Sequence, residues 1–332
     1  MNNFKKSVFL FIVSSVVISS LAWGALGKKS ENLYNFINIG HLDYGSNDDQ
    51  IGILLEPGVP PAGPESFWVD DKGRVYVCDT TNKKIKLFSA QGKFVDQVSV
   101  NFKCNDVAVD DQNNIFVMDR ARKLIHCFSM KESLSVMAVD KSLISNTNLL
   151  NISDGKLELI TNDQERYLMS GPEQIGFLAA EKNNGNSNDK VILRKPIVRK
   201  NNFKLSLKRT ENRKAEITFL DNDSNSNKAS RKKTSNKTVL PVSDVVSSIF
   251  LGSDQAGNCY IQIEQMGSSD SNVNLCVYVL NPDGKTDYVI DKIPNNYWTY
   301  TAKLLQVNGK GDIYQLLPTE QGIEINYWKR NK

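Results

Sequence analysis

One stretch of this chain is written twice. Residues 65–89 read ESFWVDDKGRVYVCDTTNKKIKLFS, and residues 105–129 read NDVAVDDQNNIFVMDRARKLIHCFS, a gapless repeat with a period of 40. Nine of 25 positions are identical, among them Val69/Val109, Asp70/Asp110, Asp79/Asp119 and Phe88/Phe128. A fixed period of this length marks a chain built from stacked supersecondary units, none of which buries its faces alone. Within the first copy and just after it, FWVD, RVYVC, KIKLF and KFVDQV are apolar, β-branched or aromatic runs bounded by Asp, Asn and Gly. That is the signature of strands joined by tight turns. Four antiparallel strands in about 40 residues make one propeller blade.

The pattern returns in weaker form. IFLGSDQAGNCYIQIEQ from Ile249 and LCVYVLNPDGKTDYVI from Leu275 repeat a whole blade. KLLQVNGKGDIYQLL from Lys303, with EINYW from Glu324, gives another blade core. LLNISDGKLELITNDQERYLM and FKLSLKRTENRKAEITFL read as two degenerate copies. The expected fold is therefore all-β: a six-bladed β-propeller of four-stranded antiparallel blades. Its blades fall at about 63–100, 104–140, 147–181, 189–240, 244–292 and 300–330. The last shows only three strands. A lone apolar segment at 33–40, YNFINIG, is expected to supply the fourth and to close the ring, removing the sheet edges that would otherwise aggregate.

The string GPESFWVDDKGRVYVCDTTNKKIKLFSAQGKF resembles the NHL repeat, and the second copy does so more loosely. The resemblance implies a propeller and little about chemistry, because this fold hosts enzymes, scaffolds and binding modules alike.

The N-terminus points to export. Lys5 and Lys6 precede an apolar run over residues 8–26, and Ala25 and Gly27 are small residues at its exit. Residues 1–27 are expected to be a signal peptide or an N-terminal membrane anchor, with the propeller body, 28–332, outside the cytoplasm. The body is then secreted, periplasmic or membrane-anchored. The five cysteines, Cys78, Cys104, Cys127, Cys259 and Cys276, are odd in number and fall in no metal-ligand spacing. They read as small buried hydrophobes, with a Cys259–Cys276 bridge as the alternative.

Charge is unevenly placed. Residues 190–237 hold fifteen Lys and Arg against four acids, in a chain whose net charge is only +4. Residues 221–237 lack an apolar pattern and are expected to form a basic flexible loop, with Lys228, Arg231, Lys232 and Lys233 as polyanion contacts. Nucleic acid is disfavoured, because only Phe203 and Phe219 supply aromatic rings in that stretch.

The candidate ligand-binding residues follow from the repeat. Asp79, Asn82, Asp119 and Arg122 follow the second strand of their blades, on the face where propellers of this type bind partners. The plainer reading is that they satisfy turn amides. Glu65 and Asn105 begin the innermost strands, at a channel mouth. Asp70 and Asp110 sit at the opposite turn and read as structural. The only histidines are His41 and His126, and His126 takes the place of Lys86 on what is expected to be an outward face. So few histidines argue against the metal chemistry of the NHL-fold amidating lyases. Gluconolactonase-type propellers place a metal-binding Glu just before Gly-Pro of the first blade, where this chain has Ala62 before Gly63 and Pro64. No nucleophile elbow, phosphate loop or zinc signature is present.

These features favour an exported, non-enzymatic binding or scaffold propeller. Its partners would be a protein or an anionic envelope polymer, with membrane contact through the N-terminal segment, and no cofactor is called for. The second reading is a metal-dependent, lactonase-like hydrolase or lyase, with calcium in the central channel near Glu65 and Asn105.

Overall fold

A computed structural model describes residues 33–139, 141–153, 155–162, 166–169, 203–209, 215–221, 235–267 and 273–331. The first repeat folds into β2 (Ser66–Val69), β3 (Val75–Asp79), β4 (Lys84–Phe88) and β5 (Phe94–Ser99), hydrogen-bonded in that order. The second folds into β6 (Asp106–Val109), β7 (Ile115–Asp119), β8 (Leu124–Phe128) and β9 (Ser133–Ala138). All neighbouring strands are antiparallel.

The repeated Asp explains why each hairpin forms. Asp70 Oδ1 accepts hydrogen bonds from the Lys72 and Arg74 amides, both at 2.9 Å. The Gly73 amide donates to the Asp70 carbonyl at 2.9 Å, with Gly73 at a φ of 76°. Asp110 does the same for Gln112 and Asn114, with Asn113 taking the left-handed position at 64°. Asp254 and Asn308 head two further copies of this turn. A short polar side chain that bonds the backbone two and four residues on is the usual way to fix a turn.

A short helix, α1 (Lys141–Asn146), leads into the third sheet: β10 (Thr147–Ser153), β11 (Lys156–Thr161) and β12 (Arg166–Leu168). The repeat pattern gave no sign of this helix. The fourth sheet holds β13 (Phe203–Arg209), β14 (Ala215–Asp221) and β15 (Ser235–Val239). The fifth holds β16 (Val245–Ser253), β17 (Cys259–Met266), β18 (Val273–Leu280) and β19 (Thr286–Ile293). In the last sheet, β20 (Leu305–Val307), β21 (Ile313–Pro318) and β22 (Ile323–Arg330) are joined by β1 (Tyr34–Leu42). β1 lies antiparallel on β22, Tyr34 opposite Arg330 and Leu42 opposite Ile323.

Apolar seams join most consecutive sheets. Phe67 and Val77 of the first pack with Leu316 and Ile325 of the last. Cys78, Met118 and Leu150 belong to one core running through the first three sheets. Ile217 packs with Ile261 between the fourth and fifth, and Val277 with Trp328 between the fifth and last. Each fully buried side chain of this size contributes about 1.5–3 kcal/mol.

The all-β propeller of four-stranded antiparallel blades is thus present, but with five blades around the channel rather than the expected six, and β1 adds an outer edge to the last sheet without closing the ring as expected. The third and fourth sheets have three strands each among the described residues, and no apolar seam between them is described. Instead the Arg166 guanidinium of β12 donates to the Phe250 carbonyl of β16 at 2.7 Å and lies 4.5 Å from its ring, so the third and fifth sheets touch directly. β10 and β11 are joined by two residues where the first two blades use five, so the five-residue Asp-headed turn does not form there.

Two smaller expectations also change. Cys259 and Cys276 are not bridged: all five cysteines are free, and strand register puts Cys276 opposite Ile263 and Cys259 opposite Leu280. His126 does not face outward. Its side chain is 13% exposed and its ring stacks on Phe102 at 4.1 Å, because the segment that leads into this blade packs against its third strand.

Gly311 shows how tightly the last turn is held. Its φ is 82°, and a Cβ there would come within 2.2 Å of the Tyr260 hydroxyl. Gly155, at 70°, has open space around it. Gly155→Ala should therefore cost only the backbone term, about 1–2 kcal/mol. Gly311→Ala should cost clearly more, read as a larger fall in the urea midpoint; equal losses would mean that the Tyr260 contact is not tight.

Candidate functional site at the channel mouth

The innermost strands β2, β6, β10, β16 and β20 bring their ends together around a cavity of about 460 Å³. It opens on the side of the Asp-headed turns, and its walls include Trp68, Asp71, Asp111, Phe250, Gln255 and Gln306. Four of these strands, β2, β6, β16 and β20, aim their C-terminal ends at one mouth because each is followed by an Asp- or Asn-headed turn of fixed geometry.

A buried ion pair lies deeper in the channel. Lys303 Nζ is 2.9 Å from Asp106 Oδ1, and it donates to the carbonyls of Val107 at 3.0 Å and Leu150 at 3.3 Å. Three acceptors match the three protons of an ammonium group. The same nitrogen lies 5.1 Å from the Trp68 ring centroid. Asp106 in turn accepts from the Ser66 hydroxyl and the Leu150 amide. One lysine from the last sheet thereby ties together the first three. Gln306 acts in a similar way. Its Oε1 accepts from the Val69 amide at 2.7 Å and its Nε2 donates to the Val69 carbonyl at 3.1 Å, continuing β2 as another strand would. Arg166 is held by Glu158 at 2.9 Å as well as by Phe250.

The residues singled out by sequence fall into three separate groups. Glu65 and Asn105 do meet at the other end of the inner strands. Asn105 Nδ2 donates to Glu65 Oε2 at 3.0 Å, Lys103 pairs with the same carboxylate, and Asn105 Oδ1 accepts from the Arg120 amide at 3.1 Å. Asp79 is fully buried, 3.2 Å from Lys86 Nζ, and accepts from the Gly52 amide at 3.0 Å. Asn82 donates to Asp79 at 2.8 Å and to the Gly45 carbonyl at 2.9 Å. These two side chains hold the loop between β1 and β2 against the first blade. Asp119 pairs with Arg122 at 2.8 Å and lies 3.8 Å from His126 Nε2. Lys228, Arg231, Lys232 and Lys233 lie outside the described residues.

Sequence reasoning passed over Lys303, Asp106, Gln306 and Arg166. A signal for Lys303 and Gln306 was available: one sits just before an innermost strand and the other within it, where a polar residue needs a partner. Asp71, Lys72, Asp111 and Gln255 are exposed on the mouth and make no side-chain hydrogen bond or ion pair among the described residues. Among those residues no group of three or more His, Cys, Asp or Glu is arranged to hold a metal. Nor does any described helix have the length and apolarity to cross a membrane; residues 1–27 lie outside this description.

The sheets and their common channel define a β-propeller. No family model and no curated protein matches the sequence. Solved structures share the arrangement at low identity. A member of the DUF4221 family from Bacteroides vulgatus superposes with a TM-score of 0.48 at 11% identity, over 91% of this chain and 100% of its own. Virginiamycin B lyase from Staphylococcus aureus gives 0.45 at 9% identity, over 90% and 100%. A gluconolactonase from Xanthomonas campestris gives 0.43 at 10% identity, over 90% of each chain. Similarity at this level carries no activity over to the present chain.

Removing one partner of the channel ion pair leaves a buried charge alone. Lys303→Met should destabilise the protein by about 3–5 kcal/mol, and adding Asp106→Leu should restore most of the loss. A urea midpoint unchanged in the single variant would show that the pair is not buried in solution.

The two histidines give opposite pH dependences. Burial lowers the pKa of His126, against the pull of Asp119. The unfolded chain takes up this proton near the ordinary value of about 6.5, so His126 should cost stability as pH falls below that point. The hydrogen bond to Glu324 raises the pKa of His41. Its contribution is present below the ordinary value and is lost as pH rises through the folded value. His126→Phe should therefore flatten the acid-side fall in Tm, whereas His41→Gln should not.

Proposed function

We propose that the protein is a non-enzymatic binding propeller that works outside the cytoplasm and presents its channel mouth and basic segment to a protein or an anionic envelope polymer. The observation that carries this reading is the Lys303–Asp106 pair. It lies buried where inner strands of the channel begin, and all three ammonium protons have acceptors. The carboxylates at the start of the first two inner strands, Glu65 and Asp106, are likewise already paired. What remains for a partner is the exposed mouth, with Asp71, Lys72, Asp111 and Gln255.

The two most alike blades resemble NHL repeats, and the Asp-headed turns in both support that kinship. The lysines and apolar run of residues 1–27 support export, either by a cleaved signal or on a membrane anchor. Lys228, Arg231, Lys232 and Lys233 supply the charge for a polyanion, whose attraction falls as salt rises.

The test uses the full chain on an anionic polysaccharide column, beside a variant with those four residues changed to Ala. The variant should elute at clearly lower salt. Unchanged elution would remove the polyanion from the proposal. A stoichiometric calcium ion, with a lower Tm after chelation, would instead favour the metal-dependent hydrolase or lyase and call for a screen of lactones and esters.

A further inference from the structure

Two thiols meet at the seam between the first two blades. Cys78 lies on β3 and Cys104 in the segment that enters β6, and neither has any exposed surface. The Thr80 hydroxyl is 3.2 Å from the Cys78 carbonyl and 3.0 Å from the Cys104 carbonyl, so one oxygen spans the two backbones. The two side chains are within hydrogen-bonding reach, and the Cys104 thiol adds to the burial that raises the pKa of Cys78. Forty residues on, the same places in the next blade hold Met118 and Ile144, both fully buried and both inert. The repeat asks only for apolar packing at these positions. The first seam meets it with two cysteines, while the remaining three cysteines stand apart on β8, β17 and β18.

We infer that Cys78 and Cys104 form a disulfide when the chain folds in the presence of an oxidised dithiol carrier, pinning the first blade to the second. One thiolate attacks the carrier disulfide, breaking its S–S bond and releasing one carrier thiolate. The second thiolate then attacks the mixed disulfide. The new S–S bond forms, the carrier leaves with two electrons as a dithiol, and the two cysteine protons pass to solvent or to the carrier. In the folded chain burial holds the Cys78 thiol in its protonated form, so exchange belongs to the folding chain, before the seam closes. The cross-link does not depend on what the channel mouth binds.

The experiment refolds the full chain with oxidised and reduced glutathione, alkylates the remaining thiols, and maps peptides without reduction. Three alkylated cysteines and one linked peptide pair containing Cys78 and Cys104 are expected, with Tm raised by about 5 °C over the reduced chain. The Cys78→Ala/Cys104→Ala variant should then show the same Tm with and without oxidant. Five alkylated cysteines, or a link through Cys127, Cys259 or Cys276, would overturn the inference. If refolding yield is low, the same count on chain produced in an oxidising compartment decides between these outcomes.

Discussion

A single side-chain oxygen at the head of the first hairpin in four of the sheets sets the geometry on which this propeller depends. Asp70, Asp110, Asp254 and Asn308 each bind the amides of their own turn and admit one left-handed residue near its end. The turn fixes where the inner strand stops and how the second strand leaves it. Because the same device is used around the channel, the inner strands end at one level and leave a shared mouth. Asp254 carries a second duty: it also binds the Tyr260 hydroxyl at 3.0 Å and the Arg330 guanidinium, which ties the fifth sheet to the last.

Hydrophobic seams supply most of the attraction between sheets, but they are tolerant of sliding. Buried polar links fix the register. Lys303 with Asp106, Arg166 with Glu158 and Phe250, and Gln306 with Val69 each join different sheets near the channel. Such pairs give little net stability over a well-packed apolar replacement, and their use here is best understood as specifying one arrangement. The same economy explains why the interior offers so little free chemistry: its charges are already matched.

The repeat was legible because it is local. Strands, turns and the left-handed position can all be read from a 25-residue window, and the segment at Tyr34 was apolar enough to be recognised as a strand in need of a partner. The irregular third and fourth sheets were less legible, since neither repeats the five-residue Asp-headed turn sequence of the first two blades. The site was barely legible at all. Lys303 meets Val107 across 196 positions of sequence, and no local pattern announces such a pair. Asp79 and Asn82 were visible as polar turn residues, but the loop they hold was not, because it belongs to the chain before the first blade. In both cases the missing information was which distant segment would cover the residue.

The pairing of β1 with β22 has a consequence for how the chain is made. Synthesis delivers Tyr34 long before its partner Arg330. Until then β1 has no hydrogen-bonding neighbour, and its exposed Phe36 and Ile37 are a sticky edge on an unfinished molecule. The last sheet is therefore completed only once β22 has been made, and the waiting strand leaves an edge open to other chains in the meantime.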